Sequence, residues 1–329
     1  MVNNNKVISM KRLLLLLTIL FLPLNVLAYA DYIIPGGDTL GVKVDTNGIM
    51  VVGFYKIDGR YNRGKMPLAN GDYITKINGT EVYSVDDMTK VIEDAEDKRS
   101  IKVTFKRGSK LLESKLPLVL SEGKYKTGLY VKSSIKGIGT LTYIDPSTGI
   151  YGALGHEITE SETNSIVEIK SGYIFENAIS GIDKSFPGSA GSKLATFNEK
   201  NIYGDISKNT VYGIFGKYNN TLPDVAPIKV GKSIQIGNAY IKTVLEKDKV
   251  ENYLIEITSL NLDSKIKNIT FKIVDEELLE KTGGVIQGMS GSPIIQNDEI
   301  VGVLTHVVVD NPNIGYGLLI TKMLEEGEK

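Results

Sequence analysis

Apolar and polar positions alternate with a period of two along most of this chain, and helical periodicity is confined to a few short stretches. Residues 41–44 and 49–55 are apolar runs of strand length. Tyr73-Ile74-Thr75-Lys76-Ile77 alternates between two turn signals, Asn70-Gly71-Asp72 and Asn78-Gly79. Ser84-Val85-Asp86-Asp87 has the form of a capping box. Behind it Val85, Met88, Val91, Ile92 and Ala95 recur at helical spacing. Residues 101–105 alternate once more and stop at Arg107-Gly108. Beyond residue 119 the pattern changes. Short runs recur at 139–144, 165–169, 173–176, 211–215, 233–236, 239–244, 252–257, 267–273, 293–295 and 300–309, with glycine turns between them. Only 275–281 and the tail from 320 predict helix. Two patterns predict two domains: a small α/β domain over 31–120, and a sandwich or barrel of many short strands over 121–329.

Residues 1–30 stand apart. Lys6, Lys11 and Arg12 precede an apolar run from Leu13 to Leu22, and Ala28-Tyr29-Ala30 is a small-x-small pattern. This predicts an export signal or a membrane anchor, with the remaining chain outside the cytosol. Composition narrows the chemistry. The 329 residues suit two domains, and 34 Gly with 17 Tyr favour strands and tight turns. Absence of Cys excludes disulfides, thiolate catalysis and Cys-ligated metals. The net charge of −1, without a basic block, argues against nucleic acid as a partner. With only His156 and His306, a His-rich metal site is not expected, and no cofactor is required.

The sharpest segment is Gly288-Met289-Ser290-Gly291-Ser292-Pro293. Glycines around a serine let the backbone turn tightly, so that the hydroxyl projects and nearby N–H groups converge as an oxyanion hole, with Gly288 and Ser290 as donors. The motif differs from the esterase elbow GxSxG, because residue 292 is Ser. A serine hydroxyl needs a base. His156, in the glycine-flanked turn Gly152-Ala153-Leu154-Gly155-His156, lies upstream of the serine and is the preferred base. His306 sits in the run that follows the nucleophile, where Thr305 and His306 are better placed to wall a substrate cleft. His156-Glu157 is no zincin signature, since position 160 is Glu. An acid should hold the imidazole tautomer. Asp275 is preferred, with Asp183 and Asp205 as alternatives. Asp275 also stands where a helix N-cap belongs, before Glu-Glu-Leu-Leu-Glu.

These residues carry resemblances. Residues 36–119 resemble a PDZ domain in the bacterial strand order, with Leu40, Gly41 and Val42 in the place of the carboxylate-binding loop, which implies a C-terminal or internal peptide at a groove. The post-serine run, 300–306, resembles the corresponding strand of trypsin-like proteases. Together with Thr282-Gly283-Gly284, Thr305-His306-Val307, Asp310-Asn311-Pro312 and Gly315-Tyr316-Gly317, the whole chain resembles the SpoIVB-type serine peptidases. The resemblance implies a PDZ domain followed by a trypsin-like double β-barrel. It also implies His156, Asp275 and Ser290 as the catalytic set. It further implies a forespore protein exported into the space between two membranes. Such a protein cleaves itself, then cleaves a membrane-bound regulator of an intramembrane protease that activates a late mother-cell sigma factor. This chain departs from the family pattern at Pro187-Gly188-Ser189-Ala190-Gly191-Ser192, where a charged turn is usual. The rival reading from another class is a non-catalytic, PDZ-containing peptide-binding regulator of the cell envelope. A quality-control protease of the HtrA type fits less well, because those place PDZ domains after the protease.

Overall fold

A computed structural model describes residues 29–62, 67–97 and 99–329. The expected export segment falls, but for its last two residues, outside the described residues. Among the described residues no helix is long and apolar enough to cross a membrane. The chain is mainly β, and its spine is one 16-residue strand, Thr39–Phe54. The two apolar runs at 41–44 and 49–55 are one strand because Leu129–Ile144 pairs along its length, from Thr39 opposite Thr140 to Phe54 opposite Leu129.

The second half of this spine belongs to a PDZ-like α/β module. Ile49 and Met50 pair with Ile74 and Tyr73, and the sheet continues through Ser100–Arg107 and Lys110–Pro117. Helix Val85–Asp94 packs Met88 and Ile92 on Ile74, Ile77, Val103 and Phe105. Its capping box forms as read, with Ser84 Oγ accepting from Asp87 N–H and the Asp87 carboxylate accepting from Ser84 N–H. Asp72 of the Asn-Gly-Asp turn is buried, and its two oxygens accept from Arg107 Nε at 2.7 Å and Nη2 at 2.6 Å.

The first half of the spine lies in a β-barrel. Its ring runs from Thr39–Phe54 through Leu129–Ile144, Ile150–Ala153 and Gly213–Lys217, and returns through Ser192–Asp205 and Ile169–Asp183. A bridge between Gly204 and Tyr218 closes it. A second barrel closes completely: Gly237–Val244, Val250–Leu260, Ile269–Ile273, Ile314–Leu319, Glu299–Val307 and Pro293–Gln296, each paired with the next and the last with the first. Each barrel has its own apolar interior, Val42, Val44, Tyr151 and Ile174 in one, Ile255, Phe271, Ile294 and Leu304 in the other. Tyr143, Phe215, Val303 and Met323 of helix Ile320–Glu328 join them at the base.

Two expectations are corrected. Residues 32–46 do not belong with the α/β module. Tyr32–Pro35 pairs with Leu129–Ile144 and with Ile228–Val230, and 40–46 pairs with both Leu129–Ile144 and Ile169–Asp183. Leu40, Gly41 and Val42 are therefore no carboxylate-binding loop. Both edges of their strand are occupied, Leu40 and Val42 are buried, and the Phe175 ring lies directly over the Gly41 Cα. A peptide can add only to an open edge. The close approach of Phe175 makes a specific expectation. Gly41→Ala forces that ring from its place and should lower stability by about 1–3 kcal/mol, read as a fall in Tm; an exposed ligand loop would tolerate the methyl group.

Candidate active site

The turn that carries Ser290 is built by glycine. Gly288 and Gly291 have φ of 92° and 101°, conformations that side chains oppose. A Cβ on Gly291 would run into Thr140 O. The turn belongs to the second barrel, yet the first barrel holds it. Thr140 N–H donates to Ser290 O at 2.9 Å and Thr140 Oγ1 to Gly288 O at 2.7 Å. Two residues on, Thr142 Oγ1 donates to Gly291 O at 2.8 Å. Thr140 O in turn accepts from Leu154 N–H at 3.2 Å. Leu154 and Gly155, both at φ 70°, then turn the chain so that His156 reaches the seam between the barrels. A non-glycine residue at that φ is strained, by about 1–2 kcal/mol, and the Thr140 bond holds it there.

Ser290, His156, Gly288 and Gln287 line one cleft of about 370 Å³. Its other walls are mostly apolar: Val42, Ile135, Ile138, Leu154 and Ile158. The N–H groups of Gly288 and Ser290 donate to no acceptor among the described residues, although the neighbouring Met289, Gly291 and Ser292 N–H groups all do. Unpaired backbone donors beside a cleft are rare and match what an oxyanion hole needs. The Ser290 hydroxyl donates to Thr305 O at 2.8 Å rather than to an imidazole. His156 Nδ1 lies 2.7 Å from Glu157 O. A carbonyl can only accept, so Nδ1 carries the proton and Nε2 keeps its lone pair. The ring of His306 stands 5.2 Å from that of His156, and its Nδ1 is buried without a partner.

Burial sets the electrostatics. It lowers the His156 pKa from the usual value, against smaller opposing effects of the Glu157 carbonyl and the Glu157 charge. It also pushes His306 down to about 4, with His156 and Lys267 adding to the effect. Both imidazoles are neutral at pH 7. Among the described residues no carboxylate is hydrogen-bonded to either. Asp275 is engaged elsewhere: Oδ1 accepts from Leu278 N–H at 3.0 Å as N-cap of helix Glu276–Thr282, and Oδ2 accepts from Leu254 N–H at 3.1 Å. The pairing with His156 that the resemblance implies is not made. Asp183 and Asp205 are exposed strand-end residues, and Asp205 accepts from Lys217 N–H at 3.0 Å. Among the described residues no group of three or more His, Asp or Glu converges as a metal site.

Two parts of the site escaped the sequence reading. Thr140 was visible only as one polar position in an alternating strand. The turn 187–192 was noted as a departure, but not as a support: Gly191 O accepts from Gln287 N–H at 2.8 Å, and Gly191 N–H donates to Ser185 Oγ. The pattern Thr140-x-Thr142 on the inward face of a strand was the available signal, since a buried hydroxyl needs a partner.

Residues 123–324 match the family model described as SpoIVB peptidase S55. No match was found among curated proteins. Among solved structures, the chain is similar to the PDZ domain of an SdrC-like protein from Listeria monocytogenes, at 23% identity and a TM-score of 0.23, covering 27% of this chain and 90% of that one. It is also similar to Rv3671c from M. tuberculosis H37Rv, in the inactive form of a serine-to-alanine mutant. There the identity is 12%, the TM-score 0.30, and the coverage 58% of this chain and 81% of that one. A second inactive form of the Rv3671c protease gives 13%, 0.30, 56% and 80%.

Two substitutions separate support from chemistry. Thr140→Val keeps the shape but leaves Gly288 O without its donor; the expected loss is about 1–3 kcal/mol of stability, with a lower kcat and with Ser290 still present. Asp275→Ala removes a helix cap worth about 1 kcal/mol and strands Leu254 N–H. Its Tm and activity should fall together; Asp275→Asn keeps the cap oxygen for Leu278 N–H but sets an NH2 against Leu254 N–H, so its Tm should fall too, by less than that of Asp275→Ala.

Proposed function

The chain belongs to the SpoIVB S55 peptidase family and is a serine peptidase, and from that premise we propose how it hydrolyses a peptide bond. Ser290 is the nucleophile and His156 the base. The hydroxyl rotates away from Thr305 O to reach His156 Nε2 as the substrate carbonyl enters. The N–H groups of Gly288 and Ser290 receive the oxyanion. His156 then returns the proton to the leaving amine, and water releases the acyl group by the same route. The observation that supports this reading is the convergence of Ser290, His156 and two unpaired N–H donors on one cleft. With Nδ1–H held on Glu157 O, the backbone gives the imidazole the tautomer that a base needs.

In the cell we propose a sporulation peptidase, exported from the forespore through its N-terminal segment. It would process itself and cleave a membrane-bound regulator of an intramembrane protease, which in turn activates a late mother-cell sigma factor. The family supports this setting. The substrates are proteins. His156, which protonates the leaving amine, lines the cleft, and none of the lining comes from Glu299–Val307. Its apolar walls favour an apolar residue just after the scissile bond.

Three measurements test this. Ser290→Ala should abolish self-processing of the purified chain and its labelling by a fluorophosphonate, and unchanged processing would refute the assignment. Because burial disfavours the imidazolium, His156 regains its base function at a pH below the ordinary 6.5; kcat/KM should fall only as the pH drops beneath that value. In a peptide series, substrates with Leu after the scissile bond should acylate Ser290 about tenfold or more faster than those with Asp there, in line with pocket discrimination of about 1–3 kcal/mol.

A further inference from the structure

Lys193 is buried, 3% exposed, beside the nucleophile turn, and the mechanism above does not use it. Its Nζ donates to Thr39 Oγ1 at 3.1 Å and to Thr243 Oγ1 at 2.9 Å. Thr39 belongs to the first barrel and Thr243 to the second, so the amine is clamped in the seam. A buried ammonium ordinarily has a carboxylate partner. Lys193 forms no ion pair among the described residues. The charged groups on the elements packed against it are engaged otherwise or face outward. Asp38, beside Thr39, and Lys242, beside Thr243, act on each other. Glu251, opposite Thr243, pairs with Lys249. Asp183, opposite Ser192, is exposed. Burial alone pushes the amine down to about 7.

The same residue governs the oxyanion turn. Lys193 N–H donates to Gln287 O at 2.9 Å. In a trans peptide the C=O and the following N–H point in opposite directions. Fixing Gln287 O on Lys193 therefore aims Gly288 N–H the other way, towards the cleft that Gln287 and Gly288 line and Lys193 does not. The side-chain stem backs the same peptide: its Cβ, Cγ and Cδ stand 3.1–3.2 Å from where a Cβ on Gly288 would lie. A positive charge held behind preorganised donors favours negative charge in front of them, and more so in a dry seam than in water.

We propose that Lys193 is a positioning residue for peptide hydrolysis, its stem and buried ammonium holding and polarising the Gly288 donor for the oxyanion. This rests on the reading of Ser290 and Gly288 given above. The sign follows from the charge. The ammonium is present below its pKa and lost above it, so kcat should fall as pH rises through the neutral range, a limb opposite to that of His156.

The test is the pH profile of kcat and KM for the full chain on a peptide substrate. Lys193→Met keeps the stem and removes the charge. It should lower kcat about tenfold, less than loss of an oxyanion donor, leave KM unchanged, and abolish the alkaline limb while keeping the acid limb. Thr243→Val takes one acceptor from the ammonium and should move the alkaline limb to lower pH, so the proposal remains testable if Lys193→Met does not fold. Wild-type kcat with no alkaline limb, or Lys193→Met with the wild-type profile, overturns it. So does Thr243→Val with an unmoved limb. Ser290→Ala separates the two layers: if it stays active the peptidase reading fails, and if it is inactive while Lys193→Met behaves as wild type only this inference fails.

Discussion

One residue of the first barrel holds both halves of the site. Thr140 donates through its N–H and its hydroxyl to the serine turn, and accepts through its carbonyl from the loop that carries the histidine. Ser290 and His156 lie on different barrels, so no local interaction can bring them together. Three hydrogen bonds from a single inward-facing threonine do so, and the glycine at 291 is required because Thr140 O occupies the space a side chain would need.

The seam those bonds close is buried. Burial lowers the pKa of His156, His306 and Lys193 alike, and among the described residues none of the three is hydrogen-bonded to a carboxylate. In such surroundings fixed dipoles act with little screening. The Glu157 carbonyl fixes one imidazole, and the N–H groups of Gly288 and Ser290 stand without acceptors among the described residues. The Ser290 hydroxyl rests on Thr305 O.

The spine strand explains why the α/β module is fused rather than tethered to the peptidase. Thr39–Phe54 passes from one core into the other without a break, and Leu129–Ile144 follows it along the same path. The local signals for the module were legible, the capping box at Ser84 and the turn at Asn70-Gly71-Asp72 among them, because each is satisfied by residues within a few positions. The role expected of Leu40-Gly41-Val42 was not, since whether a strand edge is open depends on Ile174 and Phe175, more than 130 positions away.

What the sequence determined by itself is local: the alternation that makes strands, the glycines that turn the chain at 288 and 291, the helix starts at Ser84 and Asp275, and the presence of one nucleophile with two imidazoles. That the Ser290 turn and the His156 loop line one cleft, which carbonyl holds the His156 ring, and what stands behind Gly288 were decided only by tertiary structure. The physical reason is range. Turns and caps are closed by bonds across three or four residues, whereas the seam is made by the packing of two barrels, where burial and edge pairing depend on segments that the order of residues does not bring together.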